Sequence, residues 1–229
     1  MPLDFVAASE EHVEIGDVAP LNITGSAITV AAWVKIASAT AEKKVIAKWS
    51  DSAGAFSYLL GIAGAADDKA QFVVNTGSNG VALGTTSLSV GVWHLIVGTY
   101  DGVTVRVYLD EVEDGTVSLT GNISSNTAPV RIGVGSGATS EQPMDGAIDD
   151  ARIYDRVLSA EEVATIFASN GHDVIVDALQ ARFTFMEKGP GATAAGADVV
   201  DIGPNSLATT SVNTPTYSEG VLAFRRRVA

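Results

Sequence analysis

Residues 93–115, WHLIVGTYDGVTVRVYLDEVEDG, decide the fold. Leu95, Val97 and Thr99 alternate with His94, Ile96 and Gly98, and then YDG interrupts the run. Beyond it, Val103, Val105, Val107 and Leu109 alternate with Thr104, Arg106, Tyr108 and Asp110. Period-two patterning on both sides of a tight turn is the signature of a β-hairpin with one face in a core. Asp101-Gly102 supplies the turn, because glycine reaches positive φ without a Cβ clash. A second turn is predicted at DEVEDG, which makes Glu111 and Glu113 part of a solvated hairpin end.

Working outward, short segments of the same kind recur at 3–6, 12–15, 28–37, 44–49, 56–62, 71–75, 81–84, 130–134 and 147–154. SDSAG at 50–54 and TGSNG at 76–80 read as turns, the latter with Asn79-Gly80 as a hairpin signal. Strands at this spacing without intervening helices predict a sandwich of two antiparallel sheets. One helix interrupts the pattern at 159–168. Ser159 and Glu162 form a capping box, Val163, Ile166 and Phe167 make an apolar stripe, and Ser169-Asn170-Gly171 supplies the stop. It is expected to cover an end of the sandwich. LQARFTF at 179–185 alternates again, 186–220 is rich in Gly, Ala, Thr and Pro, 220–224 reads as a last short strand, and Arg225–Arg227 form a basic tail. The chain reads as one domain over 1–229, with 179–224 packing back on the body.

The composition narrows the function. Of 229 residues, 14 are Lys or Arg and 27 Asp or Glu, a formal net charge of −13, so a phosphate backbone is an unfavourable partner. No uninterrupted apolar run approaches the roughly 20 residues of a membrane helix. There is no cysteine to supply a disulfide or a thiolate metal site. Met1-Pro2-Leu3-Asp4 leads straight into fold-like sequence, so no signal peptide is expected and synthesis is placed in the cytoplasm.

Five blocks, at 5–36, 45–50, 93–115, 131–136 and 144–167, resemble consecutive blocks of the laminin G-like, concanavalin A-like lectin/glucanase domains. GAIDDARIYDRVLSAEE is the most specific of them. The resemblance implies a jelly roll of two curved antiparallel sheets. It implies recognition of glycans or proteins, a structural calcium in several relatives, and glycan hydrolysis in some. The C-terminal segment resembles one that precedes the first strand in many relatives, so a permuted arrangement is expected in which it returns beside residues 3–15.

No carboxylate motif of the family's glycanases, E-x-D-x-x-E, occurs, and His12, His94 and His172 are scattered. Trp49 stands beside a predicted loop with Asp51, and an indole there would stack on the C–H face of a sugar. With Asn79 in the neighbouring loop, these residues are the candidate ligand contacts. By resemblance, Glu10, Glu11 and Asp149 fall where calcium ligands often lie; the alternative is that Asp149 bonds backbone amides and the two glutamates are solvated. The reading is a non-enzymatic recognition or surface-structural module whose partner is a glycan or a protein surface. A particle building block, such as a phage capsid decoration or fibre-like virion protein, or a homo-oligomer, suits an acidic chain of this kind. The alternatives are a free glycan-binding lectin and an atypical glycanase.

Overall fold

The computed structural model describes residues 2–39, 41–51, 55–64, 68–136, 142–186, 189–196 and 198–218. With strands numbered along the chain, one sheet runs in the order β10 (Val112–Ser118), β9 (Thr104–Leu109), β8 (His94–Tyr100), β3 (Ile28–Ile36), β12 (Gly146–Tyr154), β1 (Leu3–Phe5) and β15 (Thr216–Tyr217). An eighth strand, β13 (Leu179–Phe183), pairs with the second half of β12. The second sheet has seven strands among the described residues. Its order is β14 (Thr210–Val212), β2 (His12–Gly16), β11 (Val130–Ile132), β4 (Lys43–Ser50), β5 (Ala55–Ile62), β6 (Lys69–Asn75) and β7 (Asn79–Ser87). Every strand pairing among the described residues is antiparallel, and the architecture is a jelly-roll sandwich. No helix among the described residues is long and apolar enough to cross a membrane.

Alternation puts one face of each strand into the space between the sheets. Val30, Ala32 and Val34 of β3 meet Tyr58, Leu60 and Phe72 of the opposite sheet in one buried cluster. Gly98 is required there: a Cβ would lie 2.0 Å from Cγ of Phe72. The central hairpin forms as the pattern predicts. Gly102 has φ +90°, and Asp101 Oδ1 accepts from the amides of Val103 and Thr104 at 3.0 and 2.7 Å.

Two turn assignments need correction. Only Asp110 and Glu111 turn the chain at DEVEDG; Val112–Ser118 is strand β10, and Glu113 and Asp114 lie in it at a register shift. At 76–80 the left-handed residue is Gly77, φ +97°. Asn79 and Gly80 already belong to β7, where Gly80 packs beneath Leu119.

Helix α1 (Ala160–Ser169) begins with the predicted capping box. Ser159 Oγ accepts from the Glu162 amide at 3.3 Å, and Glu162 Oε2 accepts from the Ser159 amide at 2.9 Å. It ends at Asn170 in the left-handed conformation, followed by Gly171. It does not cap an end of the sandwich. Its stripe lies on the outer face of the eight-stranded sheet, against Ala31, Leu95, Val97 and Tyr154, with Phe167 stacked 5.6 Å from Trp33.

Beside that helix, β12 carries a bulge between Asp149 and Arg152, with Asp150 at φ +46°. The bulge aims Asp150 at Arg152 on the outer face. Arg152 also holds Asp173 with two hydrogen bonds of 2.8 and 2.7 Å, and Arg182 of β13 reaches Asp150 at 2.8 Å. All four charged side chains are buried or nearly so.

The C-terminal segment returns to the N-terminal strands. Tyr217 pairs with Leu3, Ser211 with Val13, and the Ser218 amide donates to Pro2 O at 3.0 Å. The strand expected at 220–224 and Arg225–Arg227 lie outside the described residues.

Candidate functional site

The outer face of the seven-stranded sheet carries what a merely solvated face would not. One register row crosses it through Thr210, Glu14, Arg131, Ala47, Leu59, Val73 and Val81. Its acidic and basic members pair at one side, Arg131 to Glu14 at 2.9 Å. Its centre is apolar: Ala47, Trp49, Leu59 and Val73 form a buried cluster with Phe56 packed on it. At the far side Val81 and Leu83 are exposed, 44% and 42%.

A bulge builds the aromatic part. Lys48 pairs with Tyr58 but Trp49 with Phe56, so Ser57 is the extra residue and Phe56 is turned onto the outer face. The rings of Trp49 and Phe56 are 4.6 Å apart and tilted by 37°. A polar string edges them: Asp51 accepts from Trp49 Nε1 at 2.9 Å and from Lys44 Nζ at 2.7 Å. Burial pushes the Asp51 carboxyl up, but its bonds to Lys44 and Trp49 outweigh this and hold it below the ordinary value. Gln71 Nε2 donates to Glu42 at 3.0 Å on the same face.

The structure therefore brings Trp49 and Asp51 together but changes the role of the indole. Trp49 is in strand β4, not on a loop, and is only 5% exposed, so its face is closed to a sugar ring. Phe56, partly buried above it, is the more accessible ring of the two, and the sequence pattern does not single it out. Asn79 stands apart from this cluster, at the β6–β7 turn, where its Oδ1 accepts from Asn75 Nδ2.

Three of the carboxylates around the central hairpin make structural contacts, and one of them joins the two sheets. Asp114 accepts from the amides and hydroxyls of both Thr85 and Thr86, tying edge strand β10 to edge strand β7. Asp110 accepts from the Leu95 amide at 3.0 Å and lies 3.2 Å from His94 Nδ1, and Glu113 lies 3.5 Å from Arg106.

A family model of the concanavalin A-like lectin/glucanases superfamily matches residues 8–164, more than half of the chain. The chain belongs to that superfamily. No curated protein sequence matches it. Among solved structures, a Bacteroides ovatus protein proposed to bind carbohydrate superposes with a TM-score of 0.68 at 14% identity, over 95% of this chain. The chain spans only 61% of that protein. A heptameric SAP-like pentraxin from Limulus polyphemus gives 0.56 at 16% identity, covering 88% of each chain. The CBM40 module of a Ruminococcus gnavus sialidase, bound to α2,3-sialyllactose, gives 0.54 at 13% identity, over 63% of this chain and 84% of the module. Identities this low show a shared fold.

Membership in the lectin/glucanases superfamily raises the question of calcium. Among the described residues no three Asp, Glu or His side chains converge to hold a metal ion. Glu11 Oε2 accepts from the Val6 amide at 2.7 Å, and Glu10 ends a short helical turn in the left-handed region. Asp149 is buried and its Oδ1 accepts from the Asp150 amide at 2.9 Å, the backbone role set out above as the alternative. Thermal melts in chelator and in millimolar calcium are accordingly expected to coincide. A calcium-dependent rise of several degrees, lost in Asp149→Ala, would reinstate the site.

Proposed function

We propose that this chain is a non-catalytic glycan-binding module that takes its ligand on the outer face of the seven-stranded sheet. The observation that carries the reading is the accessible Phe56 on a buried Trp49–Leu59–Val73 bed, flanked by Lys44, Asp51, Gln71 and Glu42. A pyranose has an apolar C–H face and a rim of hydroxyls, and it matches an aromatic and aliphatic strip edged with fixed donors and acceptors. Lectin-like neighbours of the same fold, one of them solved with sialyllactose, support the class of ligand. The absence of catalysis is part of the proposal, supported by Asp110 and Asp114 of the hairpin being engaged in structural bonds.

A glycan array, followed by titration calorimetry with the best ligand, tests it. Phe56→Ala is expected to weaken binding about tenfold, since losing an aromatic stack is worth roughly 1 kcal/mol or more. Its melting temperature should fall only modestly, because Phe56 is partly exposed. Failure of every glycan to bind, or unchanged affinity in Phe56→Ala, would sink the proposal, and hydrolysis of a bound glycan would remove the word non-catalytic.

A further inference from the structure

We infer that the loop end of the sandwich holds a second, separate binding site, a cleft that takes one neutral sugar residue. The inference shares the glycan chemistry proposed above and rests on it for ligand class, but it uses other residues. The cleft measures about 610 Å³ and is lined by Asp17, Asn22, Ala55, Ser125, Asn126 and Thr127. All but Ala55 offer a carboxylate, an amide or a hydroxyl.

Its walls are held in place from behind. Lys48 extends from β4 with its side chain fully buried, and its Nζ bonds Asp17 Oδ1 and Ala128 O, each at 2.7 Å. Asn22 Nδ2 donates to the same Asp17 oxygen at 2.9 Å. The Lys48 bond, then the Asn22 bond, hold the Asp17 carboxyl below its ordinary value, so it is an ionised acceptor at the cleft wall. Asn126 fixes the opposite wall, accepting from the Ala128 amide at 2.9 Å and donating to Lys48 O at 3.3 Å. Ser125 and Thr127 on either side of it are exposed. The Asn22 Oδ1 atom is buried without a hydrogen-bond partner among the described residues. An orphaned acceptor at the wall of a polar cleft gains a partner when a hydroxyl enters and the amide rotates slightly toward it.

The charges choose the ligand. Lys48 is neutralised by Asp17 and out of reach, so among the cleft residues no cation faces an incoming group. A carboxylated or phosphorylated ligand would meet an ionised Asp17 on a chain of net charge −13. A metal ion is excluded from the Asp17–Ala128 oxygen pair because the ammonium already occupies it. A neutral polyol satisfies both donors and acceptors.

The test is a titration of the full chain, followed by two-dimensional amide NMR, with glucose, galactose, mannose, N-acetylglucosamine and N-acetylneuraminic acid. At least one neutral sugar should move the amides of Ser125, Asn126 and Thr127, and N-acetylneuraminic acid should move none of them. The double variant Ser125→Ala/Thr127→Ala, which leaves the Lys48 bonds intact, should weaken the neutral sugar about fivefold. Phe56→Ala should leave these shifts unchanged. The cleft is overturned if no neutral sugar moves these amides, if the double variant binds like the wild type, or if N-acetylneuraminic acid binds as well. Shifts confined to the surroundings of Phe56 and Val81 would overturn the cleft and leave the outer-face platform standing; loss of the cleft shifts in Phe56→Ala would show a single site.

Discussion

Cut after Gly171, the chain is expected to be insoluble or unfolded rather than a smaller version of the same sandwich. The segment removed carries Leu179, Phe183, Phe185 and Tyr217, all buried at 3% exposure or less. Each contributes on the order of 1.5–3 kcal/mol by burial, set against a total stability of roughly 5–15 kcal/mol for a domain. The cut also strips β13 and β15 from the sheet that holds β12 and β1, and β14 from β2. Those strands would then present unpaired backbone groups, which template aggregation. Soluble yield and a thermal melt of the truncated chain check this. A melt within a few degrees of the full chain would show that the returning strands are dispensable and that residues 1–171 fold on their own.

How much of this was legible depends on which forces set each element. The central hairpin was readable because its inward residues alternate, and burial imposes that alternation directly. Strand β10 was not: its residues are exposed or half-exposed throughout, so no face selects a pattern, and Asp114 holds it in place through side-chain bonds to β7. The short strands β14 and β15, three and two residues long, take their conformation from β2 and β1 rather than from any local propensity. The helix announced its start through Ser159 and Glu162, which interact within one turn. Its stripe showed that an apolar partner existed but not that the partner was Trp33, more than a hundred residues earlier.

The candidate site follows the same division. Trp49 and Asp51 are two residues apart, and their bond is local enough to suspect from sequence. That Phe56 rather than Trp49 is the accessible ring depends on one extra residue, Ser57, in the pairing of β5 with β4, and a bulge leaves no mark in composition. The cleft residues were missed because Lys48, Asp17 and Ala128 meet only across long sequence separations. The one signal available was the run Ser124-Ser125-Asn126-Thr127, small amide and hydroxyl side chains in the loop between β10 and β11. The particle-building-block reading rests on composition, and the fold adds no observation to it.

Arg152→Ala is expected to destabilise the protein by about 3–5 kcal/mol, a fall in melting temperature on the order of 10 °C, because it leaves buried carboxylates without their cation. Asp150 and Asp173 are each at most 3% exposed, and Arg152 binds both. Arg182 remains for Asp150 but reaches the 171–173 segment through carbonyl oxygens, Gly171 O at 2.7 Å and Asp173 O at 3.5 Å, so the Asp173 carboxylate keeps only its bonds from Ser169 Oγ and the Ile175 amide and has no ion pair. The pH dependence identifies the mechanism. Burial pushes the Asp173 carboxyl up, but the hydrogen bonds and charge of Arg152 outweigh it and hold the group well below its ordinary 3.8. A depressed folded-state value means that this stabilisation is fully present above about pH 4 and is lost as the pH falls through the folded-state value. Without Arg152 the burial penalty is opposed only by the Ile175 amide and the charge of Arg182, so the depression shrinks and acid costs the variant less than it costs the wild type. The stability gap between wild type and Arg152→Ala, measured by denaturant melts between about pH 3 and pH 7, should therefore narrow toward the acid end. A gap of constant size would mean that the arginine acts by packing alone. Arg152→Met in an Asp173→Asn background provides the second measure, since removing both charges should cost less than the sum of the single changes.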